Sequence, residues 1–129
     1  IDSGKCNVLF TGDISFFYDS NALWNANLPA NLRIFLINNE GGGIFRIIDG
    51  PRKSEQLEKY FEAHHTQKAE FICKAHEVEY LKAHSIAEIE RGLHNFFEED
   101  DRPKLMEIFT PRERNDEVLK AFFAAAASM

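Results

Sequence analysis

Short apolar runs and longer amphipathic stretches alternate along the chain, and this alternation predicts its elements. Two runs rich in branched and aromatic side chains, residues 7–12 and 32–37, predict short buried strands. Between them, apolar residues at mixed helical spacings predict a helix over residues 15–27, which the sequence around Pro29 breaks. Strand, helix and strand within about 33 residues have the size of a βαβ unit, whose crossover makes the two strands parallel.

The rest of the chain continues the same alternation. Its apolar periodicity predicts a short helical turn and four helices, at residues 44–48, 53–63, 67–76, 86–97 and 113–126. A weak strand is predicted at residues 78–83, and a stronger one at 103–110, where Pro103 opens an apolar run. The order of elements predicts an α/β fold with an open, mostly parallel sheet and helices on both faces.

Composition narrows the class of protein. The chain has 129 residues, 44% apolar and 28% charged, which are values typical of a single folded domain. Its net charge of -6 argues against a nucleic-acid binder, and no apolar run reaches the ~20 residues of a membrane span. Cys6 falls in the stretch KCNVLFTG, which predicts a buried strand, and Cys73 falls in a predicted helix. Such cysteines favour reduced thiols and a cytoplasmic location. Because "IDSG" leads directly into a strand, we expect a piece of a larger protein.

Polar residues follow the first two predicted strands, at the positions where open α/β sheets bind ligands. Asp13 comes directly after the first strand and Asn39 after the second, so we expect both side chains at one edge of the sheet. The glycines after Asn39 allow a backbone carbonyl to turn inward beside these two side chains. Three oxygen ligands of this kind suit Mg²⁺. The helix that begins near Ser15 directs N–H groups to the same place, so the pattern indicates a metal-bridged diphosphate.

Each part of this pattern has a plainer interpretation that the residues alone leave open. Asp13 fits the N-cap of a helix, and Asn-Asn followed by glycines is typical of a turn. A cap and a turn of this kind would also fit a non-catalytic flavodoxin-like module that binds a metal, a phosphate or a partner. The histidines between His64 and His84 surround Cys73, but their spacing matches no zinc pattern. The acidic run at 98–101 is typical of a solvated loop, with weak calcium binding as an alternative.

The segments "GDISFFYDSNALW" and "INNEGGGIF" resemble the thiamine-diphosphate-dependent enzymes. In that family Gly-Asp is followed at a similar distance by Asn-Asn, and here Asn39 lies 26 positions after Asp13. The Ile14-Ser15 pair and the Ile44-Phe45 ending are similar to the branch of 2-succinyl-5-enolpyruvyl-6-hydroxy-3-cyclohexene-1-carboxylate synthases of menaquinone biosynthesis. The resemblance is dense over residues 8–45 and thinner beyond. An acetolactate-synthase-like decarboxylase is the alternative within the family, and these two residue pairs count against it.

The resemblance implies roles for single residues. Asp13 and Asn39 match side-chain ligands of Mg²⁺ (or Mn²⁺), and Gly41 matches the position that offers its carbonyl oxygen. The cofactor-binding residues that the resemblance implies are Asp13, Ile14, Ser15, Asn39, Gly41, Ile44 and Phe45. The substrate pocket would be lined by Ile44, Phe45 and Ile48. Glu40 departs from the family, which usually has a small or amide residue there.

The resemblance also implies what the whole enzyme does. The whole enzyme would decarboxylate 2-oxoglutarate with thiamine diphosphate and add the resulting unit to isochorismate. It would be a homodimer or homotetramer with sites between subunits. The glutamate that activates the cofactor belongs to another domain of that family. We therefore expect one domain, residues 1–129, forming a truncated version of the family's C-terminal, diphosphate-binding fold. It would carry no catalytic residue and be inactive alone.

Overall fold

The computed structural model describes residues 4–46 and 60–128. These residues form two compact units. The first comprises the described residues of Ile1–Asn38 and Gln67–Phe109, and the second those of Asn39–Thr66 and Thr110–Met129.

The first unit is built on a parallel sheet. Within the described residues its strands are β1 (Asn7–Gly12), β2 (Leu32–Asn38), β3 (Glu79–Ala83) and β4 (Lys104–Phe109), in the spatial order β1-β2-β4-β3. All three pairings are parallel, which confirms the predicted α/β fold. Gly12, the last residue of β1, lies opposite Ile37 of β2, so the carboxyl ends of these two strands lie side by side.

Three α-helices connect the strands of the first unit: α1 (Asp13–Asp19), α2 (Glu70–Ala75) and α3 (Ile86–Phe97). The predicted bounds of α3 are confirmed, whereas the single helix predicted at 15–27 is wrong. The helix begins at Asp13 and gives way to a 3₁₀-helix over Ser20–Trp24. Serine and asparagine are frequent in the sequence after Asp19, and their side chains compete with helical backbone hydrogen bonds.

Helices cover both faces of the sheet, as predicted. On one face, Phe16 of α1 and Cys73 of α2 belong to a core cluster that also includes Ile34 and Leu36 of β2. On the other face, Phe96 of α3 packs with residues of β2 and β4, Phe35 and Met106. Successive residues of β2 thus serve opposite faces, and this central strand is buried on both.

β1 is an edge strand, and the prediction that it is buried is wrong. The side chains of Val8, Leu9 and Phe10 are 46%, 47% and 69% exposed. In the described part of the chain β1 pairs only with β2, and the Phe10 ring stacks on that of Phe35 with centroids 4.8 Å apart. Cys6 precedes the strand and is exposed, which also contradicts its predicted burial.

Two buried cations lie near the amino ends of the strands and satisfy the last turn of α3. Arg33 is 3% exposed, and its guanidinium donates to the carbonyls of Phe96 and Glu98, and also to those of Ala30 and Leu32. Lys104 Nζ donates to the Asn95 carbonyl at 2.8 Å and lies 3.4 Å and 3.6 Å from carboxylates of the same unit. A helix carries a partial negative charge at its carboxyl end, so buried cations are stabilised there.

The second unit contains a 3₁₀-helix at Gly43–Arg46, another at Arg112–Arg114, and α4 at Asn115–Ala127. The last confirms the helix predicted at 113–126. Most of the helix predicted at 53–63 lies outside the described residues. The aromatic side chains of α4, Phe122 and Phe123, are 64% and 61% exposed. No helix within residues 4–46 and 60–128 combines the length and apolar character needed to cross a membrane.

The capping role of Arg33 predicts a large loss of stability in Arg33→Met. This change removes the donor of one buried and three part-buried hydrogen bonds to carbonyls, so the free energy of unfolding should fall by about 3 kcal/mol. Urea denaturation followed by circular dichroism measures the difference. Arg91→Met, which removes an exposed arginine of α3, is the matched control and should change stability by less than about 0.5 kcal/mol. Equal midpoints for the two variants would contradict the capping role.

Candidate functional site

Asp13 is a buried carboxylate placed immediately after β1. It is the first residue of α1 and is 2% exposed, and its Oδ1 accepts the Ile14 N–H at 2.7 Å. Gly12 occupies the N-cap position, so Asp13 lies in the first turn of the helix. Ile14 is half-buried and Ser15 exposed. A carboxylate that the helix start holds in place is a suitable hard ligand for a divalent cation.

The two asparagines at the end of β2 differ in their surroundings. Asn38 is the last residue of the strand and is 1% exposed, and its amide nitrogen donates to Glu107 Oε1 at 2.7 Å and to the Gln67 carbonyl at 3.1 Å. Asn39 follows directly, belongs to the second unit and is half-buried. Asn38 therefore has a structural role, which leaves Asn39 as the residue of the pair suited to a ligand.

Glu107 is a buried carboxylate that the sequence reasoning missed. It is 0% exposed on β4, and its two oxygens accept from the Asn38 amide, from the Ala69 N–H at 3.3 Å and 3.1 Å, and from the Tyr80 hydroxyl at 2.6 Å. A signal for it was present: a carboxylate stands between Met106 and Ile108 inside an apolar strand. Buried carboxylates need such partners because an unbonded one is costly.

Burial and this carboxylate together raise the pKa values of two neighbours. Burial, helped by the negative charge of Glu107, raises the pKa of the Cys73 thiol to about 12. Burial raises the pKa of Tyr80 as well, and the hydrogen bond from its hydroxyl to Glu107 adds to the effect. Both groups are therefore held in their neutral forms, and the Cys73 thiol is not a nucleophile in the folded chain.

In the second unit, the glycine-rich loop lies tightly against a returning segment. The Gly42 N–H donates to the Glu62 carbonyl at 2.6 Å, and the His65 N–H donates to the Glu40 carbonyl at 3.3 Å. A Cβ on Gly41 would lie 2.8 Å from the Glu62 carbonyl oxygen. The loop therefore accepts only glycine at this point without moving.

The same loop is shaped around the side chain of Asn39. A Cβ on Gly43 would lie 2.9 Å from Asn39 Nδ2, so the glycine makes room for the amide. The predicted donors, one carboxylate, one amide oxygen and one carbonyl, are all hard oxygens, and this chemistry fits Mg²⁺. Among the described residues, no group of three or more His, Cys, Asp or Glu side chains could hold a metal ion. The predicted set contains only one such residue, Asp13.

The departure at Glu40 has a structural account. Its backbone has a φ of 61°, a left-handed conformation that costs a residue with a Cβ about 1–2 kcal/mol. Its side chain is 50% exposed, and Oε2 lies 4.0 Å from His64 Nε2. The carboxylate is thus partly hydrated, which weakens its repulsion of nearby anions.

Of the three apolar residues predicted for the pocket, two are described. Ile44 and Phe45 lie in the 3₁₀-helix at Gly43–Arg46. Ile44 is 55% exposed, and the Phe45 ring packs near that of Phe61 with centroids 5.7 Å apart. Ile48 lies outside the described residues.

Comparison with known proteins gives one consistent result. No protein-family model matches the chain. Curated proteins named 2-succinyl-5-enolpyruvyl-6-hydroxy-3-cyclohexene-1-carboxylate synthase are similar to it. The protein from Christiangramia forsetii is 55% identical over 123 residues, 95% of this chain and 21% of that protein. The one from Flavobacterium johnsoniae is 45% identical over 123 residues, 95% of this chain and 22% of that protein.

A third relative, from Cytophaga hutchinsonii, is 42% identical over 114 residues, 88% of this chain and 20% of that protein. The chain spans about a fifth of the length of the curated relatives it matches. The resemblance predicted from the sequence is confirmed: the chain is homologous to a segment of these synthases.

The raised pKa values of Cys73 and Tyr80 predict that the chain loses stability at alkaline pH. Folding favours the protonated thiol, so its contribution is complete below pH 9.0 and is lost as the pH rises towards 12. Urea denaturation at several pH values should show the free energy of unfolding falling over this range. The fall should be shallower in Cys73→Ala than in Cys6→Ala, the matched control at the exposed cysteine. Identical slopes in the two variants would contradict this explanation.

The close approach of the glycine loop predicts that Gly41→Ala is destabilising. The added methyl group must displace the Glu62 carbonyl, at an expected cost of about 1–3 kcal/mol. Gly12→Ala is the control, since nothing lies within 4 Å of a Cβ there, and as a change at an N-cap it should cost less than about 1 kcal/mol. Thermal denaturation compares the two. A Gly41→Ala variant as stable as Gly12→Ala would show that the loop is not constrained.

Proposed function

We propose that this chain, a homologue of a segment of the 2-succinyl-5-enolpyruvyl-6-hydroxy-3-cyclohexene-1-carboxylate synthases, forms the Mg²⁺- and diphosphate-binding part of a thiamine-diphosphate-dependent enzyme. One observation carries the proposal. Asp13 directly follows β1 and Asn39 directly follows β2, and these strands are adjacent, parallel and aligned at their carboxyl ends. In open α/β sheets this edge is where ligands bind.

In this proposal, each ligand has its own kind of donor. Asp13 supplies the charged oxygen, Asn39 the amide oxygen and Gly41 the carbonyl oxygen for Mg²⁺ or Mn²⁺. Ile14 and Ser15 form the turn that meets the diphosphate. The metal offsets the charge of the diphosphate beside the Asp13 carboxylate, which alone would repel it. Water and phosphate oxygens would supply the remaining ligands of the metal.

The apolar residues of the second unit have a different task. Ile44 and Phe45, with Ile48, would exclude water from the reacting end of the cofactor and from the substrate. When bound, thiamine diphosphate supplies the nucleophilic carbon that adds to a 2-oxo acid and permits loss of carbon dioxide. In this proposal the chain binds and orients the cofactor, and the cofactor carries out the chemical steps.

The whole enzyme would act in menaquinone biosynthesis. Its substrates would be 2-oxoglutarate and isochorismate, and it would be a cytoplasmic homodimer or homotetramer. The relatives reported above share one synthase name, which supports this branch over an acetolactate-synthase-like enzyme. The 129-residue chain would be inactive alone, because the glutamate that activates the cofactor in this family matches none of its residues.

Calorimetric titration of the chain with thiamine diphosphate tests the metal site. We expect binding that requires Mg²⁺ and that Asp13→Ala abolishes, because the carboxylate is the only charged ligand in the proposed set. Asp19→Ala, which removes an exposed carboxylate from the other end of α1, is the matched control and should bind as the unchanged chain does. Binding indifferent to both Mg²⁺ and Asp13 would refute the metal assignment.

The activity of the whole enzyme is tested on a full-length synthase that contains this sequence. Release of carbon dioxide from 2-oxoglutarate should require both Mg²⁺ and thiamine diphosphate, and the product should form only with isochorismate present. A preference for pyruvate over 2-oxoglutarate would instead support an acetolactate-synthase-like activity. Activity without thiamine diphosphate would overturn the proposed function.

A further inference from the structure

Glu107 joins three parts of the first unit through one fully buried carboxylate. Its donors are the side chain of Asn38, at the end of β2, the backbone of Ala69, just before α2, and the hydroxyl of Tyr80, on β3. All of these donors are uncharged. Each hydrogen bond that a buried carboxylate accepts stabilises it, and each also holds its donor in a fixed position.

Asn38 is the donor with the most direct link to the proposed metal site. The chain leaves the first unit after Asn38 and re-enters it at Gln67. The Asn38 amide nitrogen bonds both Glu107 Oε1 and the Gln67 carbonyl, at 2.7 Å and 3.1 Å. One amide group therefore ties together the exit and the return of the segment that carries Asn39 and Gly41, and Glu107 anchors that amide.

We propose that Glu107 is a positioning residue for the magnesium site: by holding the Asn38 side chain, it sets the direction in which the backbone continues to Asn39. This inference rests on the proposed function, in which Asn39 is a metal ligand. Groups that orient a ligand through its neighbours commonly change metal affinity about 10–100-fold when they are removed. Glu107 would act in this way without touching the metal.

The experiment separates positioning from general stability by using the two ends of the hydrogen-bond network. Glu107→Met removes the acceptor of the Asn38 amide, and Asn38→Ala removes the donor. Tyr80→Phe is the matched control, because it removes one hydrogen bond to the same carboxylate and leaves Asn38 in place. Glu107→Gln is the conservative variant, because its carbonyl oxygen at the Oε1 position can still accept from Asn38 and Ala69, while its amide nitrogen can donate to the Tyr80 hydroxyl.

Two measurements are made on the full 129-residue chain. The first follows the amide resonances of Asn39 and of the glycines at 41–43 by NMR without ligand. The second is the affinity for thiamine diphosphate in the presence of Mg²⁺. We expect Glu107→Met and Asn38→Ala to shift these resonances and to weaken binding at least about tenfold. Glu107→Gln and Tyr80→Phe should leave these resonances in place and the affinity within about twofold of that of the unchanged chain. This should hold even where they lower the unfolding midpoint.

Two results would overturn the inference. Either the resonances at Asn39 and 41–43 stay unchanged in Glu107→Met, or Tyr80→Phe weakens binding as much as Glu107→Met does. If Glu107→Met fails to fold, Asn38→Ala decides in its place. Failure of the unchanged chain to bind thiamine diphosphate with Mg²⁺ would count against the proposed function, and the ligand-free resonances would then decide the positioning role separately.

Discussion

A carboxylate without contact to water is the strictest constraint in the first unit. Glu107 is stabilised there by donors from β2, from the approach to α2 and from β3. An unbonded polar group in such a place would cost as much as a substantial part of a small domain's stability. The order of the strands and the return of the chain after the second unit are therefore coupled to one side chain. Apolar packing on either face of β2 would tolerate small shifts that this network would not.

Much of the fold was predictable because its elements carry strong local signals. The helix at 86–97 was predicted with its observed bounds because its apolar residues keep a helical period, and in the structure Ser85 caps it by accepting the Glu88 N–H. The helix predicted at 15–27 failed after Asp19, where serine and asparagine weaken the helical preference. The exposure of β1 was not predictable, because an apolar strand has the same sequence pattern at the centre and at the edge of a sheet.

In the candidate site, too, some residues have a local sequence signal and others do not. Asp13 and Asn39 stand out in the sequence because they directly follow apolar runs, and the alignment of β1 with β2 agrees with that interpretation. The roles of Asn38, Glu107 and Arg33 were not predicted from the sequence because most of their hydrogen bonds join positions 27 to 69 residues apart. Side-chain hydrogen bonds over such separations depend on tertiary packing, which local sequence patterns do not predict.

The buried charges of the sheet are sorted along its strands. Lys104 and Arg33 lie near the amino ends, whereas Glu107 and Asp13 lie near or beyond the carboxyl ends. On β4 the two signs are three residues apart, about 10 Å along a strand. Lys104 has the Glu79 and Asp100 carboxylates beside it, whereas the hydrogen-bond donors of Glu107 are all uncharged. Negative charge near the carboxyl edge favours a cation and disfavours a bare polyanion, so the proposed diphosphate would be received there as a metal chelate that has lost most of its charge.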